Sequence, residues 1–164
     1  MEFSKFLHWI RGCIQHYNHN KYWRYREKVL NYKTGKMSKI INIVRLFYIK
    51  KCDAFNKATL GTHLGFGAFF GGIPSFPHGL YGIIISHNVT IGKNCTIFHN
   101  VTIGEGKGGA PKIGDDVMIG TGSIIIGDIT IGDRVKIGAG SVVTKSVPSD
   151  CTVVSSSMRI IYKT

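Results

Sequence analysis

The 164-residue sequence has no long apolar run, few cysteines and few acidic residues. No stretch approaches the roughly eighteen apolar residues of a membrane-spanning helix, and the N-terminus carries charges where a signal peptide needs an apolar block. These absences predict a cytoplasmic protein. The four cysteines form no CxxC pair, which argues against a zinc knuckle or a disulfide framework.

The excess of basic over acidic residues is uneven along the chain. Nine acidic residues face twenty-one Lys and Arg, for a formal net charge of +12. Residues 1–60 hold thirteen Lys and Arg against three acidic residues, whereas residues 61–164 hold eight against six. Glycine is distributed the other way, with nineteen of twenty-one from Gly61 onward. The composition predicts two regions, a basic N-terminal segment of residues 1–60 and a glycine-rich domain of residues 61–164.

The basic segment contains two proline-free stretches whose apolar residues recur three and four positions apart, SKFLHWIRGCIQHY (4–17) and MSKIINIVRLFYIKKCDAF (37–55). This spacing predicts two amphipathic helices, with a turn at NYKTGK between them. Basic residues interleaved with aromatic ones also suit nucleic acid or an anionic membrane surface. Because no nucleic-acid motif accompanies them, we expect a solvated face whose aromatic residues pack on the second region, with peripheral association with a membrane or a synthesis complex as an alternative.

From Ile85 the sequence divides into units of six: ISHNVT, IGKNCT, IFHNVT, IGEGKGGAPK, IGDDVM, IGTGSI, IIGDIT, IGDRVK, IGAGSV and VTKSVP. Six is a multiple of the two-residue strand period, so the opening aliphatic residue always returns to the same side of the chain. Each unit is predicted to form one short strand, with three strands per turn of a triangular parallel β-helix. Asn88, Asn94 and Asn100 share the fourth position, where asparagine tolerates the left-handed backbone of tight corners.

The unit that opens at Ile103 is four residues longer than the others. Its surplus is predicted to leave the prism as a protruding loop, residues 105–112. A single excursion from a strict repeat is a place where function tends to be located. Lys107 in this loop is a candidate contact for an anionic acceptor.

The segments GIIISHNVTIGKNCTIFHNVTIG, PKIGDDVMIGTGSIIIGDITIG and RVKIGAGSVVTKSVP resemble hexapeptide-repeat acyltransferases with a left-handed parallel β-helix. Within that group the chain is similar to serine acetyltransferases and to acetyltransferases of surface-polysaccharide synthesis, over about residues 61–161. The resemblance implies a mainly β fold with a small helical N-terminal segment. It also implies acetyl transfer from acetyl-CoA to a hydroxyl, without a metal, in a homotrimer with active sites between neighbouring prisms. The N-terminal helices are available for a higher assembly.

Acetyl transfer to an alcohol needs a base beside the hydroxyl, and histidine titrates in the suitable range. In serine acetyltransferases the catalytic histidine lies just before a GIVI-like strand, which GIII at 82–85 matches. His78 in FPHGLYGIII is therefore the candidate general base, although it stands four residues before Gly82 where the family has three. His99 in IFHNVTIG is the rival, and His63 is expected to be structural or supporting.

Two departures from the family bear on the site. The family's histidine is usually oriented by an aspartate about fifteen residues upstream, a place that His63 occupies here, so the orienting group is open. Serine acetyltransferases have an Arg-His pair before PKI, where this chain has Gly109 and Ala110. The second departure favours a sugar or glycan hydroxyl, with free serine and an amino-sugar nitrogen as alternatives.

The resemblance also implies the coenzyme A contacts, which are Thr121 in IGTGS, Ala139 in IGAGS, Thr144 and Lys145 in VVTKSVP, and Arg159 in SSSMRII. Small residues let the pantetheine arm approach the backbone, and the two cations can meet phosphate charge.

Two alternatives come from other functional classes. A hexapeptide prism can be a zinc-dependent carbonic anhydrase, but that site needs an H-x4-H pair that the histidines at 78, 87 and 99 do not supply. The chain can also be a non-catalytic binding protein whose basic arm docks on nucleic acid or on a membrane-bound synthesis complex.

Overall fold

The computed structural model describes residues 16–32 and 35–155. Two helices, α1 (His19–Leu30) and α2 (Lys36–Phe55), precede thirteen short strands. The strands are β1 Thr59–Leu60, β2 Phe69–Phe70, β3 Ile84–Ile85, β4 Thr90–Ile91, β5 Thr96–Ile97, β6 Thr102–Gly104, β7 Lys112–Ile113, β8 Met118–Ile119, β9 Ile124–Ile126, β10 Thr130–Ile131, β11 Lys136–Ile137, β12 Val142–Val143 and β13 Thr152–Val153.

The strands form three parallel sheets, which are the faces of a triangular prism. Face 1 has the order β1-β3-β6-β9-β12, face 2 has β2-β4-β7-β10, and face 3 has β5-β8-β11-β13. Ile84 pairs with Thr102 and Ile124 with Val142, so one coil is eighteen residues, or three units of six. The step from Thr102 to Ile124 is twenty-two residues because the longer unit lies within it. The predicted parallel β-helix is confirmed.

The core is a stack of aliphatic side chains that point into the prism from all three faces. In every strand except β2 and β13 the outward residue precedes a buried one, as the six-residue period predicts. Each buried aliphatic side chain contributes roughly 1.5–3 kcal/mol by leaving water. The inward residues of the regular coils are Ile85, Ile91, Ile97, Ile103, Ile113, Ile119, Ile125, Ile131, Ile137 and Val143.

The corners of the prism use left-handed backbone at several residues other than glycine. Asn94 and Asn100 have φ of 54° and 58°, as predicted for asparagine at the fourth position of a unit. Asn88 is not among the residues with positive φ, so the prediction was wrong there. That corner closes instead with the Val89 N–H donating to the carbonyl of Ser86, a turn that needs no left-handed residue.

The predicted helix over residues 37–55 is confirmed as α2. The predicted helix over residues 4–17 lies outside the described residues except for His16 and Tyr17, which are not helical. The structure adds α1, which the apolar spacing did not predict. This helix begins at Asn18, whose side chain accepts a hydrogen bond from the Lys21 N–H at 2.9 Å.

Helix α1 is fixed to the first coil by one buried arginine. The guanidinium of Arg26 donates to the Thr62 hydroxyl at 3.0 Å and to the backbone carbonyls of Leu60 and Ala68. Beside it the Trp23 ring meets Phe70 edge to face, with centroids 5.0 Å apart. Trp23 of the basic segment thus packs on the prism, while the boundary of the segment at residue 60 stays a prediction.

The solvent face of α2 is apolar in its first half. Met37, Ile40, Val44 and Phe47 recur three and four residues apart, and each is more than half exposed. Within the described residues, neither helix meets the length and hydropathy of a membrane span. The first half of α2 is therefore an apolar strip on an otherwise basic segment.

Candidate active site

The two histidines that the sequence offered as rival bases are in contact. Their Nδ1 atoms are 2.8 Å apart, and their rings stack with centroids 4.8 Å apart. His78 lies in a turn closed by the Gly79 N–H donating to the carbonyl of Phe76. His99 lies at the corner between faces 3 and 1, next to Phe98, whose ring meets the His78 ring edge to face at 5.7 Å. The site is therefore a pair of imidazoles.

The contact fixes which ring nitrogens are free. A hydrogen bond between two Nδ1 atoms needs one nitrogen to donate and the other to accept, so the bridge holds one proton. Both Nε2 atoms are left for other partners. His78 is exposed and His99 is half-buried, so the pair is accessible from solvent.

Two of the predicted coenzyme contacts stack on the same corner. The Gly122 N–H donates to the carbonyl of His99 at 3.2 Å, and the Gly140 N–H donates to the carbonyl of Thr121 at 2.8 Å. His99, Thr121 and Ala139 therefore occupy equivalent positions in three successive coils. Together with His78 they form a column along one corner, which we call the histidine edge.

The other described coenzyme candidates lie on a different corner. Thr144 and Lys145 follow β12 and are exposed at the corner between faces 1 and 2. The long loop leaves the prism at this corner too, from Glu105 to Pro111, because β7 begins at Lys112 and makes the loop one residue shorter than predicted. Lys107 is exposed in the loop, beside the pairing of Gly106 with Gly109. We call this corner, with Thr144 and Lys145, the loop edge.

A second histidine cluster occupies the loop edge. His87 Nδ1 lies 3.6 Å from Glu105 Oε1, and the His63 ring stacks on Phe66 with centroids 4.7 Å apart. The His63 and His87 rings meet edge to face at 5.7 Å. Desolvation, with smaller effects of the Lys50 and His87 charges, lowers the pKa of His63 below its usual value. His63 thus packs with His87 and Phe66, and no contact joins it to His78 among the described residues.

The nearest acidic residue upstream of His78 is also placed elsewhere. Asp53 is buried between the helices, where it accepts a hydrogen bond from Tyr22. Arg159 lies outside the described residues. In the described ranges, no group of three or more His, Cys, Asp or Glu side chains is placed to hold a metal ion.

The sequence identified both histidines but missed their contact. On face 3 the first coil is twenty-one residues long, because Ser75 pairs with Thr96. The same interval separates His78 from His99 and places the two histidines in adjacent coils at one corner. The irregular stretch before β3 obscured this signal, because the repeat is not readable there.

Known proteins share both the repeat and the fold. Residues 110–145 match the family described as bacterial transferase hexapeptide (six repeats). The chain is 41% identical over 107 residues to serine acetyltransferase of Synechococcus elongatus, which covers 63% of this chain and 41% of that protein. The chain thus spans less than half the length of this relative.

Solved structures give the same result. Serine acetyltransferase of Neisseria gonorrhoeae in complex with serine superposes with a TM-score of 0.58 at 36% identity, covering 70% of this chain and 46% of that one. A serine acetyltransferase in complex with CoA superposes with a TM-score of 0.57 at 29% identity, covering 71% and 46%. The fold is accordingly the parallel β-helix predicted from the repeat, with the left hand that the resemblance implied.

Proposed function

We propose that this chain, a hexapeptide-repeat protein related in sequence and fold to serine acetyltransferases, transfers an acetyl group from acetyl-CoA to a hydroxyl of a small acceptor. The observation that carries the proposal is the histidine edge. There an exposed imidazole pair adjoins the stacked Thr121 and Ala139, which leave the backbone accessible along two further coils.

His78 acts as the general base through Nε2, because its Nδ1 is engaged with His99. The acceptor oxygen attacks the thioester carbonyl carbon while its proton passes to His78 Nε2. The carbon–sulfur bond then breaks, and the departing thiolate takes the same proton from His78. The products are the O-acetylated acceptor and CoA, and His78 returns to its starting state.

The coenzyme lies along the histidine edge in this proposal. Thr121 and Ala139 admit the pantetheine arm close to the backbone, where the Thr121 carbonyl and the N–H groups of Gly122 and Gly140 are already ordered by hydrogen bonds between coils. Lys145 and Arg159 would meet the phosphates. Since Lys145 lies on the loop edge of the same chain, it reaches a coenzyme on the histidine edge only from a neighbouring copy.

Face 1 provides the surface for such a neighbour. Its five outward positions are uncharged: Thr59, Ile84, Thr102, Ile124 and Val142. The equivalent rows of faces 2 and 3 include Lys112 and Lys136. The histidine edge and the loop edge are the two borders of face 1. Three copies packed through face 1 around a threefold axis would therefore bring the histidine edge of one copy beside the loop edge of the next.

L-serine is the first acceptor we propose, because the relatives are serine acetyltransferases and one was solved with serine. This differs from the sequence-based preference for a sugar hydroxyl. The sugar acceptor is kept as a second candidate on one observation, which is that Gly109 and Ala110 provide no cation for a carboxylate at the place of the family's Arg-His pair.

The test measures CoA thiol release from acetyl-CoA with L-serine and with a panel of nucleotide sugars and oligosaccharides. The parent is compared with His78→Ala and with His16→Asn, since His16 lies in the basic segment, where its ring contacts Phe55. We expect acceptor-dependent release that falls by roughly 10²-fold or more in His78→Ala and is unchanged in His16→Asn.

Release with none of the acceptors would overturn the proposal. Release with a sugar and not with L-serine would replace serine by the second candidate. Full activity of His78→Ala would remove His78 as the base.

A further inference from the structure

We propose that His99 is the positioning residue of the site, accepting a hydrogen bond from His78 so that His78 Nε2 stays unprotonated. The inference rests on the proposed function and answers a question that the sequence left open, namely which group orients the base. In serine acetyltransferases the resemblance assigns that task to an aspartate. In this chain neither Asp53 nor His63 lies against His78, whereas His99 Nδ1 is 2.8 Å from His78 Nδ1.

The proton between the two Nδ1 atoms can be bonded to either ring. Only one of these two arrangements leaves His78 Nε2 able to act as a base. If His99 Nδ1 carried the proton, a neutral His78 would hold its own proton on Nε2 and could not accept another there. If His78 Nδ1 carries it, His78 Nε2 has a free lone pair. His99 then accepts at Nδ1 and holds its own proton on Nε2, so the two rings adopt opposite tautomers.

The backbone holds both rings in register. His99 is fixed by the Gly122 N–H on its carbonyl and by the left-handed Asn100 that follows it. His78 is fixed by the Phe76–Gly79 turn, and the edge-to-face contact with Phe98 restricts rotation of its ring. The short distance between the nitrogens is therefore set by corner geometry, as expected of a pre-organised site.

His99 also supports the step in which His78 gains a proton. Once Nε2 is protonated, the His78 imidazolium donates from Nδ1 to a neutral imidazole, and a hydrogen bond from a charged donor is shorter and stronger than one between neutral groups. The pair as a whole carries no charge at rest and one positive charge after proton transfer. A neutral acceptor thus does here what a carboxylate does in the related enzymes.

The first measurement does not depend on turnover. Nitrogen-15 NMR of the imidazoles in the full chain should show the Nδ1–H tautomer for His78 and the Nε2–H tautomer for His99. His99→Ala should change the tautomer of His78, whereas His87→Ala should leave it unchanged. The inference is overturned if His78 is the Nε2–H tautomer in the parent, or if His99→Ala leaves it as the Nδ1–H tautomer.

The second measurement separates positioning from binding and from folding. We expect His99→Ala to lower kcat by roughly 10- to 100-fold with an unchanged KM for acetyl-CoA, in line with the loss of an orienting partner. His99→Asn and His99→Asp place an acceptor oxygen near the position of Nδ1 and should restore much of the rate. His99→Leu, which fills space without an acceptor, should stay slow.

These outcomes keep the two proposals apart. An inactive parent with the expected tautomers would contradict the proposed function, but the proposal that His99 accepts the hydrogen bond from His78 would remain. Equal rates for His99→Ala and the parent would remove the positioning role while leaving His78 as the base. Complete loss in His99→Ala, with activity retained in His78→Ala, would make His99 the base and overturn the inference.

Discussion

The phenol of Tyr22 in α1 donates a 2.7 Å hydrogen bond to Oδ1 of Asp53 in α2, and both residues are buried. Burial raises the pKa of Asp53 from its ordinary value of 3.8 to about 6, although the bond from Tyr22 and the charges of Lys50 and Arg26 act in the opposite direction. The second carboxyl oxygen, Oδ2, is buried and has no hydrogen-bond partner among the described residues. The junction of the two helices therefore holds a carboxyl group that costs free energy when it ionises.

The first prediction is that Asp53→Asn removes a pH-dependent loss of stability. Between pH 4 and pH 6 the folded chain holds a proton that the unfolded chain has released, so the free energy of unfolding falls as pH rises through this window. A shift of about two pKa units corresponds to about 3 kcal/mol. In denaturant titrations from pH 4 to pH 7, the free energy of unfolding of Asp53→Asn should rise by about this amount relative to that of the parent.

The control for this prediction is Asp150→Asn. Arg134 lowers the pKa of this exposed carboxyl by hydrogen bonding and charge, so its contribution to stability is lost as pH falls and has the opposite sign. Parallel stability curves for the parent and Asp53→Asn would contradict the prediction.

The second prediction concerns a ladder of side chains at the corner between faces 2 and 3. Asp115 Oδ1 accepts from the Lys93 N–H at 2.7 Å, and Asp133 Oδ1 accepts from the Asp115 N–H at 2.8 Å. In the last coil the Ser149 hydroxyl accepts from the Asp133 N–H at 3.0 Å. Asp133→Ala should cost about 1–2 kcal/mol, because a half-buried N–H loses its acceptor.

Asp133→Ser is the matched variant, since serine already makes this contact one coil later. In thermal and denaturant titrations of the parent and both variants, the free energy of unfolding of Asp133→Ser should stay close to that of the parent. Equal losses for the alanine and serine variants would show that the ladder contributes nothing specific.

The third prediction is that Gly120→Ala destabilises the histidine edge. A Cβ at this position would lie 2.6 Å from the Ala139 nitrogen and 2.8 Å from the Ile137 carbonyl oxygen. Both are backbone atoms of the next coil, so the coils must separate, and we expect a loss of about 1–3 kcal/mol. Gly104→Ala is the control, because its Cβ would meet only the Ile126 side chain at 3.8 Å. Similar melting temperatures for the two variants would refute the steric argument.

The fourth prediction tests the proposed trimer. Val142 is 66% exposed in the single chain and lies on face 1, so Val142→Glu would bury a charge at each interface between copies. Light scattering coupled to size exclusion should give a trimer for the parent and monomers for Val142→Glu. Met118→Glu on face 3 should remain trimeric. A monomeric parent, or a Val142→Glu variant that assembles like the parent, would exclude face 1 as the interface.

Much of the prism could be predicted from the sequence because one rule repeats. An aliphatic residue every six positions determines which side chains enter the core, and Ile91, Ile97 and Ile103 are buried accordingly. Helix α1 could not be predicted in this way, because its buried face includes Arg26, which a hydrophobic pattern counts as polar. The burial of Arg26 depends on acceptors that only the folded prism supplies.

The sequence predicted which residues belong to the candidate site, but it did not predict how they are arranged. His78, His99, Thr121 and Ala139 were all candidates, and the structure brings them to one edge. The pairing of the histidines depends on the Phe76–Gly79 turn, which lies in the irregular part of the first coil. Lys145 belongs to another edge although it is also the third residue of its unit, because that unit opens with β12 on face 1 and those of His99, Thr121 and Ala139 open with strands of face 3.

The constant spacing of the coils gives the histidine edge a fixed repeat distance along the axis. Successive coils are stacked at the strand spacing of about 4.8 Å, so Ala139 lies about 10 Å along the axis from His99. If the reactive end of an elongated ligand is held at His78, the equivalent corner residues that contact the rest of the ligand lie at multiples of about 4.8 Å along the axis. Inserting one eighteen-residue coil after His99 would move every later contact by about 4.8 Å along the axis without altering the contact between His78 and His99.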